Sequence, residues 1–508
     1  MVAQGSSPCK VDSVIEAARE LGEFVKQAAT AGSTFDELER GVVQRVLEIG
    51  RLSIGIFLGL QGDGDVGETF TLPEGKELRR LPKTHGRELL SVFGEFTLER
   101  AVYGSREGQK IELIPLDARL GLPEGKLSYL LEDWNGLLAT EQPFGQVAKT
   151  LEQILGLRQH VDTLEQMTRR MAAAVERFRD ERPTPPADEE GSILVRSGDG
   201  KGVPIRRPSN EPKIEQHRSK SGPKLDRKRM AIVGVVYSVD PYLRTPEEVA
   251  ESLFRDPQDK DPERPKRPRP QHKRAWASLT RVDADGEERL GLYETFAWLS
   301  GEVQRRVTDQ TVVVNLMDGQ ESLWETLEVC SEEEDRDRQI DILDLLHVTP
   351  RLWKAVALFH PVASIEAEKL LRRWTLRILS GQVEGVIRSI RQMGYRNKLS
   401  AAKREAIAKI CNYFGKNKQR MGYDEYLSKG YPIASGAVEG ACRHLVKDRM
   451  ERTGMSWTID GAQAMLDLRS VAISHTWAEF IADRTKRETA RLYPHRQALK
   501  QLKWSFAL

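Results

Sequence analysis

Three carboxylates stand out by the residue types that surround them. Asp199 lies in Gly-Asp-Gly-Lys-Gly, Asp318 in Met-Asp-Gly-Gln, and Glu439 in Ser-Gly-Ala-Val-Glu-Gly. Each aspartate follows a run of β-branched residues, and carboxyl ends of strands border the crevice where open α/β sheets place their chemistry. Together the three predict a site for two Mg²⁺ or Mn²⁺ ions, because such cations prefer oxygen ligands. Two ions about 3.5–4 Å apart can clamp both oxygens of an in-line phosphoryl displacement.

A simpler explanation stays open for each carboxylate taken alone. Asp-Gly is a common turn dipeptide, and the chain has 76 Asp and Glu residues, some of which follow strands by chance. The combination favours a metal site: two Asp-Gly corners after strands, and a Glu in a helix that opens with Ser-Gly.

The elements that must position these groups follow from hydrophobic periodicity. Near-continuous β-branched runs predict strands buried on both faces, as in α/β domains. These runs cover 193–195, 230–237, 311–317 and 340–343. Helical spacing covers 11–60, 130–175 and 350–428, with a new amphipathic helix over 436–452. Residues 61–85 are Gly-rich and predicted to be loose, and 90–103 are predicted to form a small hairpin or sheet.

Composition shifts predict the domain organisation. Residues 179–191 are rich in proline and acidic residues, which is typical of a linker. The predicted parts are a mainly helical N-terminal region (1–178), the linker, the first part of a catalytic domain (192–349), a helical insertion (350–430) and the end of that domain (431–508). In the first part, the apolar pattern over 144–167 with Gly156 suits either a DNA-binding helix-turn-helix or two ordinary packed helices.

Overall composition excludes several classes of protein. The 508 residues contain 78 Lys+Arg against 76 Asp+Glu, and the four cysteines form no CxxC pair. A disulfide framework and a cysteine zinc site are therefore not expected. No apolar run has the roughly 18 residues of a membrane helix, and the N-terminus lacks signal-peptide features. We expect a cytoplasmic, nucleoid-associated protein without membrane contact.

Positive charge is concentrated locally. Residues 201–230 hold ten Lys/Arg against three Asp/Glu, and 398–429 hold eight against three. Such blocks suit a phosphate backbone, although a solvated loop explains many charge runs. The candidate DNA-binding residues are Lys201, Arg227, Lys228, Arg229, Arg443 and Lys447. The last two follow Glu439 at intervals of four, so ion pairing along a surface helix is the alternative.

Several segments, in order along residues 192–475, resemble a known family. They are Asp199-Gly-Lys-Gly-Val-Pro, residues 229–249, Pro270-Gln-His-Lys-Arg-Ala-Trp, Met317-Asp-Gly-Gln-Glu-Ser-Leu-Trp, Asp344-Leu-Leu-His347, residues 435–450 and Gly454-Met-Ser-Trp. In these segments the chain is similar to the ISKra-type bacterial insertion-sequence transposases. The block 435–450 is the longest and most specific.

The resemblance implies a fold and a site. The fold is α/β: a ribonuclease-H-like mixed-sheet catalytic core with a helical insertion, preceded by a mainly α-helical N-terminal DNA-binding region. Asp199, Asp318 and Glu439 become the catalytic, metal-binding DDE triad, with two Mg²⁺ or Mn²⁺ ions as cofactors. His347, in an Asp-x-x-His motif, contacts a phosphate or orients the scissile strand, unless it is a buried histidine bonded to a backbone carbonyl. Tyr103-Gly-Ser stands where some relatives carry paired cysteines, so no zinc ribbon is implied.

The expected activity is that of a DNA transposase of a mobile insertion sequence. It would cleave double-stranded DNA at the element's terminal inverted repeats and join the freed strand to target DNA, as a homodimer or higher synaptic oligomer. Two rivals stay open: a carboxylate-pair hydrolase such as a glycosidase, and a domesticated DNA-binding protein without catalysis. Trp324 and Trp457 either stack on unpaired bases or belong to the core.

Overall fold

A computed structural model describes residues 11–106, 111–206, 228–255, 266–283, 285–331, 338–452 and 454–500. The chain is mixed α/β and divides into two compact units. One contains 1–178 together with 476–508, and the other contains 179–475. The tail 476–508, which we predicted as part of the catalytic domain, thus belongs to the first unit. None of the helices in the described ranges combines the length and apolar character that a bilayer span requires.

The first unit begins with two long helices and continues with short strands and helices. Its helices are α1 (Val11–Ala31), α2 (Phe35–Leu60), α3 (Pro115–Leu120), α4 (Tyr129–Glu141), α5 (Phe144–Leu155), α6 (Val161–Ala172) and α7 (Val175–Asp180), the last at the unit boundary. Its strands are β1 (Thr69–Thr71), β2 (Glu77–Arg80), β3 (His85–Ser91), β4 (Gly94–Arg100) and β5 (Tyr103–Gly104). The helical pattern predicted over 11–60 is confirmed; a Thr34–Glu37 capping box starts α2.

Strand pairing in this unit was only partly predicted. The expected hairpin is present as the antiparallel pair β3–β4. The segment 61–85, predicted to be loose, instead contains β1 and β2, which form a three-stranded antiparallel sheet with β5. These strands have only three and four residues, too few for a period of two to stand out from a Gly-rich background.

A five-stranded mixed sheet forms the centre of the second unit. Its strands are β6 (Ile193–Pro204), β7 (Lys228–Val239), β8 (Gln271–Leu279), β11 (Val312–Met317) and β12 (Gln339–Leu343), with β9 (Arg281–Val282) and β10 (Glu288–Arg289) as a separate hairpin. The spatial order is β12-β11-β6-β7-β8. Strands β6, β7 and β8 are antiparallel neighbours, whereas β6, β11 and β12 are parallel.

Helices surround this sheet and extend from it. They are α8 (Pro246–Phe254), α9 (Gly291–Arg306), α10 (Glu321–Cys330), α11 (Leu345–Ala357), α12 (Ile365–Leu379), α13 (Val383–Arg396), α14 (Ala401–Asn417), α15 (Tyr423–Ser428), α16 (Gly436–Ala441), α17 (Asp448–Met450) and α18 (Ile459–Ile473). Helices α9 and α10 pack an apolar core on one face of the sheet, around Phe296, Leu299 and Trp324. The tail then returns to the first unit with α19 (Trp477–Leu492) and α20 (Arg496–Lys500).

The predicted linker is integrated into the second unit. Both Glu190 carboxylate oxygens accept hydrogen bonds from the Arg306 guanidinium, at 2.7 and 2.8 Å. Arg274 likewise donates to the backbone carbonyl of Pro183. Proline and acidic residues here secure a chain segment to β8 and α9, so their composition alone did not define a free linker.

Candidate functional site

Asp199 lies inside a strand, which corrects its predicted position after one. Strand β6 continues to Pro204, and Asp199 pairs with Val233 of β7. The flanking glycines explain why this sequence resembles a turn. A Cβ at Gly198 would lie 2.9 Å from the Phe296 ring, and its partner Gly234 is equally crowded by α9. Glycine is needed for the close approach of α9, and strand alternation turns Asp199 to the opposite face.

On that opposite face Asp199 meets Cys442, which follows α16. The Cys442 thiol donates a hydrogen bond to Oδ2 of Asp199 at 3.5 Å, and Oδ1 accepts from the Gly200 N–H at 2.7 Å. Burial, together with the Asp199 charge, raises the pKa of Cys442, so the thiol stays protonated and acts as the donor. The contact holds the segment after Glu439 against β6.

Asp318 directly follows β11, as predicted. Its Oδ1 accepts a hydrogen bond from the Gln320 N–H at 2.8 Å, and its side chain is half-buried. The following Gly319 is required by Tyr413, because an added Cβ would lie 2.5 Å from the tyrosine ring. The Gly319 N–H also donates to the Tyr413 hydroxyl at 3.1 Å. The Asp-Gly corner is therefore formed by packing against α14.

The register of β6 against β11 relates Asp318 to Asp199. The two strands pair as far as Arg196 and Asn315, and each aspartate stands three residues farther along the chain (199 − 196 = 318 − 315 = 3), Asp199 within β6 and Asp318 just after β11. On the other side of β11, Met317 pairs with Leu343 of β12. The residues that follow this pair, Asp318 and Asp344, therefore stand side by side just after β11 and β12, whereas Asp199 lies within β6, whose ladder with β11 ends three residues earlier.

His347 lies between two of these carboxylates. Its Nδ1 is 3.9 Å from Oδ2 of Asp318, and its Nε2 is 3.7 Å from Oδ2 of Asp344. The imidazole is 27% exposed. The alternative of a buried histidine bonded to a backbone carbonyl therefore does not describe it. Held between two acids at a half-open edge, the ring suits a role in orienting a substrate group.

Asp344 is fully buried and holds two elements together. Its Oδ1 accepts from the Leu346 N–H at 2.9 Å, which caps α11, and from the Ser435 N–H at 3.2 Å. The Ser435 hydroxyl donates to the other carboxylate oxygen. Burial raises the pKa of Asp344 above the ordinary aspartate value, although these hydrogen bonds oppose the shift. Ser435 directly precedes α16, so Asp344 positions the start of the helix that carries Glu439.

Glu439 lies in the first turn of α16, as predicted, and its side chain is exposed. Helix α16 packs on β6 and β7. It then continues as a π-helical segment over 442–447, a distortion that frequently marks functional sites. Arg469 of α18 stabilises this segment, donating from Nε to the Leu445 carbonyl at 2.8 Å and from a second nitrogen to that of His444.

The candidate DNA-binding residues differ in their surroundings. Lys228 and Arg229 are exposed at the start of β7, with Lys228 Nζ 2.6 Å from Oε1 of Glu451. Lys201 is half-buried next to the Asp199 face. Arg227 falls outside the described residues.

On the helix after Glu439, Arg443 and Lys447 are both exposed. Arg443 lies 3.5 Å from Oδ1 of Asp448, five residues ahead. The π-helical turn accounts for this spacing, so the i,i+4 pair with Glu439 that we considered is replaced by a pair with Asp448.

Both tryptophans belong to the core. Trp324 is 6% exposed and donates from Nε1 to the backbone carbonyl of Asp318 at 2.7 Å. Trp457 is 8% exposed and bonds with its backbone to Pro204 and Arg206. Neither ring presents a face for stacking on a base.

The donor types fit the predicted metal ions, but the donors are not assembled. Asp199, Asp318 and Glu439 offer the hard oxygen ligands that Mg²⁺ and Mn²⁺ prefer. In the part of the chain that the structure describes, however, no group of three or more His, Cys, Asp or Glu side chains is placed to hold a metal ion.

Sequence reasoning missed several residues of this edge. Cys442 was covered only as a member of the block 435–450, and Arg469 and Tyr413 carried no motif. Asp344 was noticed for its spacing to His347 but not for its bond to Ser435. The Asp344–Ser435 bond joins residues 91 positions apart, and no local pattern of the sequence indicates it.

Comparisons with known proteins give little direct information. No protein-family model matches the chain, and no curated protein matches it. Among solved structures, the chain is similar to a chain of the Drosophila P element transposase strand transfer complex, with 11% sequence identity and a TM-score of 0.23. The match covers 70% of this chain and 81% of that one. A similarity of this size assigns no function, so the proposal below depends on the site itself.

Proposed function

We propose that this protein is a DNA transposase of the DDE type, with metal-dependent strand cleavage and strand transfer at the ends of an insertion sequence. The observation that supports it most is that Asp199 and Asp318 each stand three residues beyond the last paired residues of two neighbouring parallel strands. The mixed five-stranded sheet is consistent with a ribonuclease-H-like core. The helices between β12 and α16 are the proposed insertion.

The proposed chemistry consists of two displacements at phosphorus. In the first, water attacks a phosphodiester at the element end, forming a P–O bond and releasing the strand's 3′-hydroxyl. In the second, that hydroxyl attacks a target phosphodiester, and the target 3′-oxygen leaves with the proton. Two bound Mg²⁺ or Mn²⁺ ions would supply charge neutralisation at both oxygens. No covalent enzyme intermediate is needed, because positioning and electrostatics carry phosphoryl transfer.

Each residue has a role in this proposal. Asp199 and Asp318 are the first two proposed ligands, and Glu439, at the start of the anchored helix α16, is the third. His347, between two carboxylates, orients the scissile strand. Lys201, Lys228, Arg229, Arg443 and Lys447 are proposed to contact phosphates, and the α5–α6 pair of the first unit to recognise the element ends.

The test uses duplex DNA from either side of the reading frame, which should carry inverted repeats. The full chain should nick or cut this DNA with Mg²⁺ or Mn²⁺ and not with EDTA. Asp199→Asn and Asp318→Asn should each reduce cleavage by orders of magnitude while DNA binding persists. Asp309→Asn is the matched control, because Asp309 is 98% exposed near the opposite end of β11. Cleavage that survives either site variant overturns the proposal.

A second candidate is a DNA-binding protein that does not cleave. It is favoured by the absence, among the described residues, of an assembled metal site. The same experiment separates the two candidates: sequence-selective binding with no metal-dependent cleavage on any flanking DNA supports the second.

A further inference from the structure

The hairpin formed by α13 and α14 is rich in positive charge. Residues 383–420, counted from the start of α13, contain ten Lys and Arg against two acidic residues, Glu384 and Glu405. The whole chain has a net charge of only +2. All of these residues are described, so the charge can be placed on a surface. Nine of the ten cations are exposed: Arg388, Arg391, Arg396, Lys398, Lys403, Arg404, Lys409, Lys416 and Lys418.

Neighbouring carboxylates neutralise only part of this charge. Glu405 pairs with Lys409 at 2.8 Å within α14. Glu384 in the first turn of α13 pairs with Lys418 at 2.9 Å, and Glu321 of α10 pairs with Lys416 at 3.4 Å. Nine exposed cations less three carboxylates leave an excess of six positive charges (9 − 3 = 6). A solvated helical surface does not need such an imbalance, because mixed signs along a helix are more stable.

The shape of the surface suits an extended polyanion. An open groove of about 580 Å³ runs between the two helices, with Arg388 and Arg391 on one wall and Lys416 and Lys418 on the other. Helix α13 has 14 residues, which is about 21 Å at 1.5 Å per residue. Duplex DNA carries one phosphate charge per roughly 1.7 Å of its axis, so about a dozen phosphates fall within that length.

An exposed aromatic ring favours nucleic acid over an acidic protein. Tyr395 is 87% exposed near the end of α13, next to Arg396. Exposed aromatic rings beside cations are typical of surfaces that bind nucleic acid, where the ring can stack on an unpaired base.

We propose that the α13–α14 hairpin is a DNA-binding surface that contacts the phosphate backbone without reading sequence. This inference rests on the proposed function for DNA as the partner. It adds a surface that is distinct from the basic residues around β7. In a transposase such a surface would hold DNA beside the cleavage point while the first unit recognises the element end.

The test measures binding by fluorescence anisotropy of a labelled random-sequence duplex, with the full chain in EDTA at several salt concentrations. The triple variant Arg388→Gln, Arg391→Gln, Arg396→Gln should bind at least tenfold more weakly at low salt. The slope of log K against log salt should flatten by about 0.9 for each lost phosphate contact, up to roughly 2.7 for three. The matching triple Arg→Lys variant keeps the charge and should bind as the parent does.

The control removes the same charge elsewhere in the second unit: Arg338→Gln, Arg372→Gln, Arg373→Gln, three exposed arginines outside the hairpin. This control should keep affinity within about threefold and should keep the salt slope. Equal loss in both Gln variants, or parental binding by the hairpin variant, overturns the proposal. Because EDTA prevents cleavage, a failure of the catalytic proposal shows in the cleavage assay alone and leaves this result unaffected.

Discussion

Ser435 donates both its backbone N–H and its hydroxyl to the carboxylate of Asp344, 91 residues earlier in the chain. The helices α11 to α15 lie between these two residues, so the bond closes that long excursion at its base. The adjacent Leu345 N–H also donates to the Ile433 carbonyl at 2.9 Å. The start of α16, and with it Glu439, is therefore fixed to the end of β12.

Replacing Ser435 tests how strongly this closure stabilises the second unit. Ser435→Ala leaves a buried carboxylate oxygen without its hydroxyl donor, which should lower the free energy of unfolding by about 1–3 kcal/mol. Ser428→Ala is the control, because this exposed serine bonds only locally, to the Glu425 carbonyl, and should change stability by less than about 0.5 kcal/mol. Urea denaturation of the full chain measures both. Equal effects would show that the Asp344–Ser435 bond does not fix α16.

A buried ion pair offers a prediction for the first unit. Arg484 of α19 is 4% exposed and binds Oε2 of Glu132 in α4 at 2.7 Å. Arg484→Met removes this partner from the buried Glu132 carboxylate. Breaking such a buried pair lowers the free energy of unfolding by roughly 3–5 kcal/mol.

The control lies on the same helix. Arg487 pairs with Asp483 and is 38% exposed, so Arg487→Met should cost less than about 1 kcal/mol. Thermal or urea unfolding distinguishes the two variants. A small effect at Arg484 would mean that Arg170, which also reaches Glu132, at 3.2 Å, is sufficient to compensate the charge.

The central sheet and the tail 476–508 show which parts of the fold the sequence patterns could predict and which they could not. The apolar runs of β7, β11 and β12 were long enough to be recognised from the sequence, and so were the helices that flank them. Strand β8 was missed, because its Gln-His-Lys-Arg opening is polar and follows a proline-rich stretch. The place of 476–508 in the first unit depends on pairs such as Arg484 with Glu132, which are separated by 352 residues. No local pattern reports a contact at that distance.

The same distinction applies to the candidate site, where the sequence predicted the positions of some residues and not of others. Asp318 and Glu439 were placed correctly at a strand end and in a first helical turn. Asp199 was placed wrongly, because Gly-Asp-Gly is typical of a turn, whereas here the glycines admit the Phe296 side chain to a continuous strand. The π-helical segment depends on Arg469 binding its carbonyls from α18, and i,i+4 spacing alone cannot predict it.

Asp467 makes stability depend on pH. It accepts hydrogen bonds from Trp276 Nε1 at 2.8 Å and from the Gln463 amide at 3.0 Å, and burial raises its pKa to about 6. Because the folded-state pKa is above the unfolded value near 3.8, the stabilising contribution is fully present below about pH 3.8. It is lost as pH rises through about 6. This pKa shift of about two units corresponds to a loss of at most roughly 3 kcal/mol in the free energy of unfolding.

Asp467→Asn should remove that dependence, because the amide cannot ionise and still offers an oxygen to Trp276. Unfolding free energies measured from pH 4 to 7 should fall less steeply for the variant than for the parent. The exposed Asp460, near the start of the same helix, provides the control in Asp460→Asn. Parallel profiles for all three proteins would show that Asp467 is ionised throughout this range.

Glu439→Gln separates a catalytic role from a structural one. The glutamate is exposed, and the neighbouring Arg443 pairs with Asp448. Losing the Glu439 charge should therefore change apo stability by less than about 0.5 kcal/mol. If Glu439 closes over Asp199 and Asp318 when metal binds, Mg²⁺ or Mn²⁺ should raise the melting temperature less than in the parent, because ligand-linked stabilisation follows affinity for the folded state.

The same variant should lose strand cleavage by orders of magnitude and keep its affinity for DNA. Glu425→Gln is the control, since Glu425 is exposed and pairs with Lys429 at 2.6 Å, and it should match the parent in melting response and cleavage. A role limited to the helix surface predicts instead that Glu439→Gln keeps both properties. Cleavage near the parental rate would remove Glu439 from the active site, and with it the third carboxylate on which the proposed transposase chemistry depends.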